Sequence, residues 1–203
     1  TCEYHQTVDV CEGVKATFID AGHLLGSASI LMELTEGGEK RNIVFSGDIG
    51  NVDQPIIRDP QFFGGADYVV MESTYGNRNH TEVWSYTDDL AQIIDETLGR
   101  GGNVVIPSFA VGRTQELLYF IREIKDRHLV TSVQDFPVYV DSPLAKSATR
   151  IFCGDLRGYL DEEALALVKD GTHMFSFPGL HLTESVEESK LLNMDGTPKV
   201  IIS

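Results

Sequence analysis

Three apolar, strand-like runs in the first half of the sequence are each followed by a residue that can bind a metal ion or a proton. These residues are His23, Asp48 and Glu72. Because a buried strand does not easily hold an unpaired charged group, such side chains at successive strand ends predict a site along one edge of a sheet. Imidazole and carboxylate groups both bind zinc and similar ions. The pattern therefore indicates a metal site with His23 and Asp48 as ligands.

These two residues form only part of a catalytic metal site, since a catalytic zinc ion takes about three protein ligands. Glu72 has two interpretations. It is a cap or an ion-pair partner, or it is a carboxylate that orients a histidine ligand or a proton carrier without binding the metal itself. The remaining histidines lie in loop-like stretches or in the polar end of a helix, and we do not expect them to be ligands. They are His5, His80, His128, His173 and His181.

A second group of candidate residues lies at residues 107–116, where a strand runs into a helix. A helix N-terminus with a nearby arginine binds phosphate well, so Ser108 and Arg113 are candidates for contacting a substrate phosphate. The glycine content is too low for a P-loop, and structural capping is the alternative interpretation. Asp141 ends another strand before a proline-initiated helix, and it fits a helix cap at least as well as a catalytic acid.

The composition is that of a globular protein of 203 residues with 42% hydrophobic residues. No apolar run approaches the ~18 residues needed to cross a bilayer, and the first residues do not resemble a signal peptide, so we expect a soluble, cytoplasmic protein. The net charge of −15 argues against a general nucleic-acid coat protein. A local metal-bearing site could still bind a polyanion. Because the chain begins at Thr1 and ends in a strand-like run, we expect a fragment.

The elements that must position these residues change in type along the chain. Strands are predicted in the first part at 14–19, 29–34, 43–46 and 68–71, with a hairpin at 35–40. A helical period then begins near residue 81 and ends at Gly99. Further strands, predicted at 103–108, 136–141 and 199–202, alternate with helices predicted at about 112–127, around 145–152 and at 184–193. This alternation predicts an α/β fold with a parallel sheet and flanking helices.

Five motifs taken together resemble the β-CASP branch of the metallo-β-lactamase fold. They lie in the family's order and cover nearly the whole chain: Ala21-Gly22-His23-Leu24-Leu25-Gly26-Ser27-Ala28, Phe45-Ser46-Gly47-Asp48-Ile49-Gly50, Met71-Glu72-Ser73-Thr74-Tyr75-Gly76, Pro107-Ser108-Phe109-Ala110-Val111-Gly112-Arg113 and Asp141-Ser142-Pro143-Leu144-Ala145. That branch includes bacterial and archaeal ribonucleases and the eukaryotic endonuclease of pre-mRNA 3′-end processing. The resemblance implies a hydrolase, a zinc-dependent ribonuclease that processes RNA.

The resemblance also implies roles for single residues. His23 corresponds to the family's third metal motif, a zinc ligand, and Asp48 to the fourth, the carboxylate that bridges two zinc ions. Glu72 matches the first β-CASP motif, an acidic residue that supports a later active-site histidine. Residues 1–78 would be a partial metallo-β-lactamase-like domain and residues 79–203 a partial β-CASP domain. The implied partner is single-stranded RNA, and no membrane partner is expected. The resemblance leaves a homodimer open as the oligomeric state.

Two features of the family are missing from this sequence: the His-x-His-x-Asp-His cluster, which supplies most of the zinc ligands, and the two later β-CASP histidine motifs. The resemblance therefore implies an interior fragment that is inactive when isolated. Three alternatives stay open for the parent protein. It could be a DNA-processing β-CASP nuclease, a metallo-hydrolase of small esters, or a non-catalytic subunit of an RNA 3′-end-processing complex.

Overall fold

The structure is a computed structural model that describes residues 2–79, 85–154, 156 and 158–203. Its contacts divide the chain into two compact units, one of Thr1–Thr81 with Gly158–Ala164 and one of Glu82–Arg157 with Leu165–Ser203. The fold is α/β and contains a parallel sheet with flanking helices, as predicted. The division into domains at 78/79 stays a prediction. No helix in the described ranges is long and apolar enough to span a membrane.

The first unit contains a five-stranded sheet. Its strands are, in sheet order, β1 (Thr7–Cys11), β2 (Val14–Asp20), β3 (Ala28–Glu36), β4 (Glu39–Phe45) and β5 (Tyr68–Val70). Strands β1 to β4 pair antiparallel, and β5 pairs parallel with β4. Because β2, β4 and β5 therefore run in the same direction, their carboxyl ends lie at the same edge of the sheet.

Part of the buried core of the first unit lies near this edge. Ile19, near the end of β2, and Ala21, just after it, are both almost fully buried. Ile56 and Ile57 are also buried, and Ile57 forms an antiparallel bridge with Leu160. The segment Gly158–Ala164 thus belongs to the first unit although it lies far along the chain. Buried apolar residues from both segments therefore contribute to the core of the first unit.

The second unit contains a parallel four-stranded sheet. Its strands, in sheet order, are β6 (Val104–Ile106), β9 (Val200–Ile202), β7 (Val138–Val140) and β8 (Leu180–Leu182). The helices in the described part of the chain are α1 (Tyr86–Gly99), α2 (Arg113–Asp126), α3 (Pro143–Phe152), α4 (Glu162–Lys169) and α5 (Val186–Leu192), with the first residues of α4 in the first unit. Apolar residues of α1, α2 and the strands form the core, with Ile94, Leu118, Ile121, Val138 and Val200 fully buried.

The predicted strands and the helices α1, α2, α3 and α5 are present in the structure, with shifts of a few residues at their ends. The predicted start of the first helix, residues 81–84, lies outside the described residues, as does His80. Sequence reasoning missed β1, β8 and α4. Strand β1 has mostly exposed residues, β8 has only three, and α4 buries only Ala164, so each carries a weak hydrophobic pattern.

We expect Asp95 to make the free energy of unfolding of the second unit change with pH in the acidic range. Its Oδ1 accepts backbone hydrogen bonds from Thr131 at 2.8 Å and Ser132 at 2.7 Å. The bonds from Ser132 and Thr131 lower the pKa of Asp95 from 3.8 to about 2. Because the folded-state pKa lies below the unfolded value, the stabilisation is complete above the unfolded pKa and is lost as the pH falls towards about 2.

Thermal unfolding measured between about pH 5 and pH 2 tests this. Asp95→Asn should lower the melting temperature at the upper end of this range and remove much of its fall towards the lower end. Asp89→Asn, on the same helix but away from residues 131–132, is the control and should keep the fall. Parallel melting curves for Asp95→Asn and the unmodified protein would contradict the assignment.

Candidate metal centre

The three predicted site residues of the first unit follow the carboxyl ends of its three co-directional strands. His23 comes shortly after β2, Asp48 after β4 and Glu72 after β5. The structure brings His23 and Asp48 together, with Nε2 of His23 lying 4.0 Å from Oδ2 of Asp48. The prediction that these two side chains lie close together is confirmed. Their role as metal ligands stays a prediction.

The turn that carries His23 is closed by the side chain of Ser27. The Ser27 hydroxyl oxygen accepts hydrogen bonds from the backbone N–H groups of His23 and Leu24, both at 3.1 Å. The backbone N–H of Ser27 donates to the Leu24 carbonyl at 2.9 Å, and its own carbonyl accepts from Ala21 at 3.2 Å. These bonds satisfy the polar backbone of the turn locally, so its conformation is fixed by neighbouring residues.

The turn of His23 and the loop of Asp48 touch through their backbones at Gly50. The Gly50 N–H donates to the Ala21 carbonyl at 2.8 Å. A Cβ atom on Gly50 would lie 1.6 Å from the Gly22 carbonyl oxygen, so no other residue fits without separating the two segments. Gly22 itself has a φ of 62°, and a Cβ there would lie 2.5 Å from the Pro60 nitrogen. These close approaches explain why a glycine precedes His23 at position 22 and follows Asp48 at position 50.

The side chain of Glu72 forms a hydrogen bond with the loop that carries Asp48. Its Oε1 accepts a 2.6 Å hydrogen bond from the N–H of Ile49, the residue after Asp48. Hydrogen bonds from Thr74 and Ile49 lower the pKa of the Glu72 carboxyl group, and the charge of His23 adds a smaller effect in the same direction. The backbone N–H of Glu72 donates to the Ser46 hydroxyl at 3.1 Å. Glu72 is therefore an ionised carboxylate with a structural contact to the Asp48 loop.

His23 and Asp48 fit part of the coordination shell of a zinc ion. Two ligand bonds of roughly 2.0–2.2 Å in tetrahedral geometry place the donor atoms about 3.4 Å apart, so the observed 4.0 Å needs only a small side-chain adjustment. Both side chains are accessible, with 43% of His23 and 76% of Asp48 exposed. Over the described residues, no group of three or more His, Cys, Asp or Glu residues could hold a metal ion. The described part of the chain thus offers two candidate ligands, fewer than the three that a catalytic zinc ion usually takes.

In the second unit, Ser108 lies in the turn between β6 and α2, and Arg113 is the first residue of α2. The backbone N–H of Ser108 donates to the Ser203 carbonyl at 2.8 Å, and its hydroxyl lies 3.2 Å from that of Thr114. Arg113 forms a 2.7 Å ion pair with Glu116, whose side chain is only 6% exposed. The Arg113 side chain is still 61% exposed, so it is also accessible to a ligand. Contact with a phosphate stays a prediction for both residues.

The structure shows how Asp141 is bonded. Its two carboxylate oxygens accept hydrogen bonds from the hydroxyls of Thr183 and Ser189, both at 2.7 Å. The cap of α3 is Ser142, whose hydroxyl accepts from the N–H of Ala145 at 3.2 Å. Asp141 therefore links the end of β7 to the end of β8 and to α5, a role that sequence reasoning missed. Sequence reasoning also missed the hydrogen-bonding roles of Ser27 and Ser46. The available signal was a serine next to a glycine in a turn.

Comparison with known proteins identifies the family of the chain. A family model of the Beta-Casp domain matches residues 114–203. The chain is 37% identical over 190 residues to Ribonuclease TTHA0252 of Thermus thermophilus, an alignment that covers 94% of this chain and 42% of the relative. This chain belongs to the β-CASP family.

Two further relatives of this β-CASP chain carry names from RNA metabolism. Endoribonuclease ysh1 of Schizosaccharomyces pombe is 34% identical over 151 residues, with 74% of this chain and 19% of the relative covered. Transcription termination factor FttA of Methanosarcina mazei is 35% identical over 143 residues, with 68% and 22% covered. The chain therefore spans less than half of the length of each of these relatives.

We expect Gly50→Ala to destabilise the first unit of the β-CASP chain. The added methyl group would overlap the Gly22 carbonyl and separate the His23 turn from the Asp48 loop, at a cost of about 1–3 kcal/mol. Gly64→Ala is the matched control, because a Cβ there has no neighbour within 4 Å and the φ is unstrained. Urea unfolding monitors both variants. Equal unfolding midpoints for the two would contradict the close approach.

Proposed function

We propose that the parent protein of this chain is a two-zinc phosphodiesterase that cleaves single-stranded RNA. The observation that supports this most directly is the pairing of His23 and Asp48, 4.0 Å apart at the shared edge of three co-directional strands. Membership of the β-CASP family adds support, since relatives of this chain are named as ribonucleases and endoribonucleases. Because the chain spans less than half of these relatives, the proposal concerns the full-length protein.

In this proposal His23 and Asp48 would hold the zinc ions, with imidazole and carboxylate as ligands. When bound, zinc ions supply Lewis acidity towards a phosphodiester and lower the pKa of water. Glu72 keeps the Asp48 loop in place through its bond to Ile49. The net reaction adds one water molecule across a P–O ester bond and leaves a phosphate monoester and a hydroxyl group. The remaining zinc ligands come from outside this chain, so we expect the isolated chain to bind zinc weakly and to lack nuclease activity.

The net charge of −15 places a condition on the RNA-binding surface. A polyanion gains little from such a chain as a whole, so its binding must rely on local positive charge. Zinc ions at the metal centre would supply part of it. We propose that the turn before α2 supplies another part, with the Ser108 hydroxyl, backbone N–H groups and the Arg113 guanidinium contacting a substrate phosphate.

The alternatives differ in how well they agree with the β-CASP match. A small-ester hydrolase has no use for the second unit, most of which falls in the matched range 114–203. A DNA-processing nuclease would share the metal centre, but the relatives of this chain are named for RNA. A non-catalytic subunit would need no pairing of His23 with Asp48. We therefore favour RNA cleavage, and substrate comparison can separate these alternatives.

The first test is cleavage of a single-stranded RNA by the full-length protein. We expect His23→Ala and Asp48→Asn each to lower kcat at least about 100-fold and to lower the zinc content, because each removes a metal ligand. His173→Ala, at an exposed histidine of the second unit, is the control and should retain both. Preferred cleavage of single-stranded DNA or of a small ester would support an alternative. Full RNA cleavage by either ligand variant would contradict the proposed site.

The second test concerns Arg113. A charge-assisted contact with phosphate is worth roughly 1.5–3 kcal/mol, so Arg113→Ala in the full-length protein should lower kcat/KM for RNA about 10- to 100-fold. Arg113→Lys should recover little if the contact is bidentate. Arg127→Ala removes another ion-paired arginine, at the other end of α2, and is the matched control.

Thermal melting of the same variants separates binding from stability. If Arg113 serves only its ion pair with Glu116, Arg113→Ala will melt at a lower temperature and keep its kinetic constants. That result would exclude the phosphate contact. A loss of kcat/KM with an unchanged melting temperature, and no such loss in Arg127→Ala, is the result that the proposal predicts.

A further inference from the structure

The hydroxyl group of Tyr4 reaches the turn that carries His23, although Tyr4 lies before the first strand. It donates a 2.7 Å hydrogen bond to the carbonyl of Ser27, 23 residues further along the chain. Burial, and to a lesser extent the charge of the nearby Asp20 carboxylate, raises the pKa of Tyr4 above its usual range. The next residue, His5, donates its backbone N–H to the Phe18 carbonyl of β2 at 2.7 Å. Tyr4 is thus held against the strand that leads into the turn.

Asp20 fixes the entry to the same turn. It is the last residue of β2 and is only 6% exposed. Its Oδ1 accepts a 2.9 Å hydrogen bond from the backbone N–H of Gly22, the residue before His23. Its backbone carbonyl accepts from the N–H of Gln61 at 2.9 Å, which ties the end of the strand to a second segment. A buried carboxylate is retained here although burial disfavours its charged form.

His23 therefore lies between two fixed points. At the entry, the Asp20 carboxylate binds Gly22. At the exit, Ser27 binds the His23 backbone through its hydroxyl and accepts the Tyr4 hydroxyl with its carbonyl. Tyr4 bonds to the exit of the turn at Ser27, and its hydroxyl lies near the Asp20 carboxylate at the entry. The conformation of the turn, and with it the direction of the imidazole, depends on these groups.

We propose that Tyr4 and Asp20 are positioning residues that set the direction of the His23 imidazole towards Asp48 and thereby the affinity of the site for zinc. The inference rests on the proposed metal centre. Some groups orient a metal ligand without contacting the metal. Removing such a group typically lowers metal affinity 10–100-fold. Tyr4 and Asp20 do so through the backbone of the turn and do not touch the metal themselves.

The experiment measures zinc affinity of the full-length protein by chelator competition, together with the absorption spectrum of its cobalt-substituted form. Tyr4→Phe keeps the ring and removes the hydroxyl, so zinc affinity should fall about 10-fold and the cobalt spectrum should change. Tyr159→Phe is the matched control, because its ring packs edge-on against that of Tyr4 at 5.6 Å and it also loses one hydroxyl. Its zinc affinity should stay within about twofold, since it leaves the Tyr4 bond intact.

Substitutions of Asp20 provide a second, independent test. Asp20→Ala removes the acceptor for Gly22 and should weaken zinc binding at least as much as Tyr4→Phe. Asp20→Asn keeps an amide oxygen at this place and should restore part of the affinity. Affinities are measured well below the melting temperature of each variant, so that unfolding does not contribute to the result.

The outcomes separate this inference from the proposed function. An unmodified full-length protein that binds no zinc would overturn both. An unmodified protein that binds zinc, with Tyr4→Phe unchanged in affinity and cobalt spectrum, would overturn only the positioning role. Equal losses in Tyr4→Phe and Tyr159→Phe would also overturn it, because they would indicate a general effect on packing. A loss in Tyr4→Phe and Asp20→Ala with partial recovery in Asp20→Asn supports it.

Discussion

The geometry of the candidate metal centre depends on one backbone contact, the hydrogen bond from Gly50 to the carbonyl of Ala21. It joins the turn that carries His23 to the loop that carries Asp48. The contact is possible only because residue 50 is a glycine and because the two segments follow strands that end at the same edge. The side chains of Glu72 and Ser27 then hold each segment from its own side. Contacts within the chain itself therefore bring the two candidate ligands together.

The acidic charge of the chain limits how the proposed phosphodiester substrate would be bound. With a net charge of −15 the chain repels a polyanion at long range, so affinity has to come from local groups. A metal centre carries its own positive charge and inverts the local field. Arg113, ion-paired yet still well exposed, is a second local source of positive charge in the other unit. This combination favours recognition of a few phosphate groups over extended coating of nucleic acid.

Much of this arrangement could be predicted from the sequence, and the limits have physical causes. The strands β2, β4 and β5 have apolar runs long enough to recognise, and their equal direction places His23 beside Asp48. The missed strand β1 is mostly exposed and depends on β2 for its pairing, so it lacks a hydrophobic pattern of its own. The Tyr4 bond to Ser27 joins residues far apart in the sequence, and a single hydroxyl gives no periodic signal.

The ligation of zinc by His23 and Asp48 can be tested most directly by anomalous diffraction from crystals of the zinc-loaded full-length protein. Our account predicts an anomalous peak about 2.0–2.2 Å from Nε2 of His23 and a carboxylate oxygen of Asp48, with a second zinc ion bridged by the same carboxylate. Zinc peaks bound entirely by other residues, with the side chains of His23 and Asp48 free of metal, would contradict it.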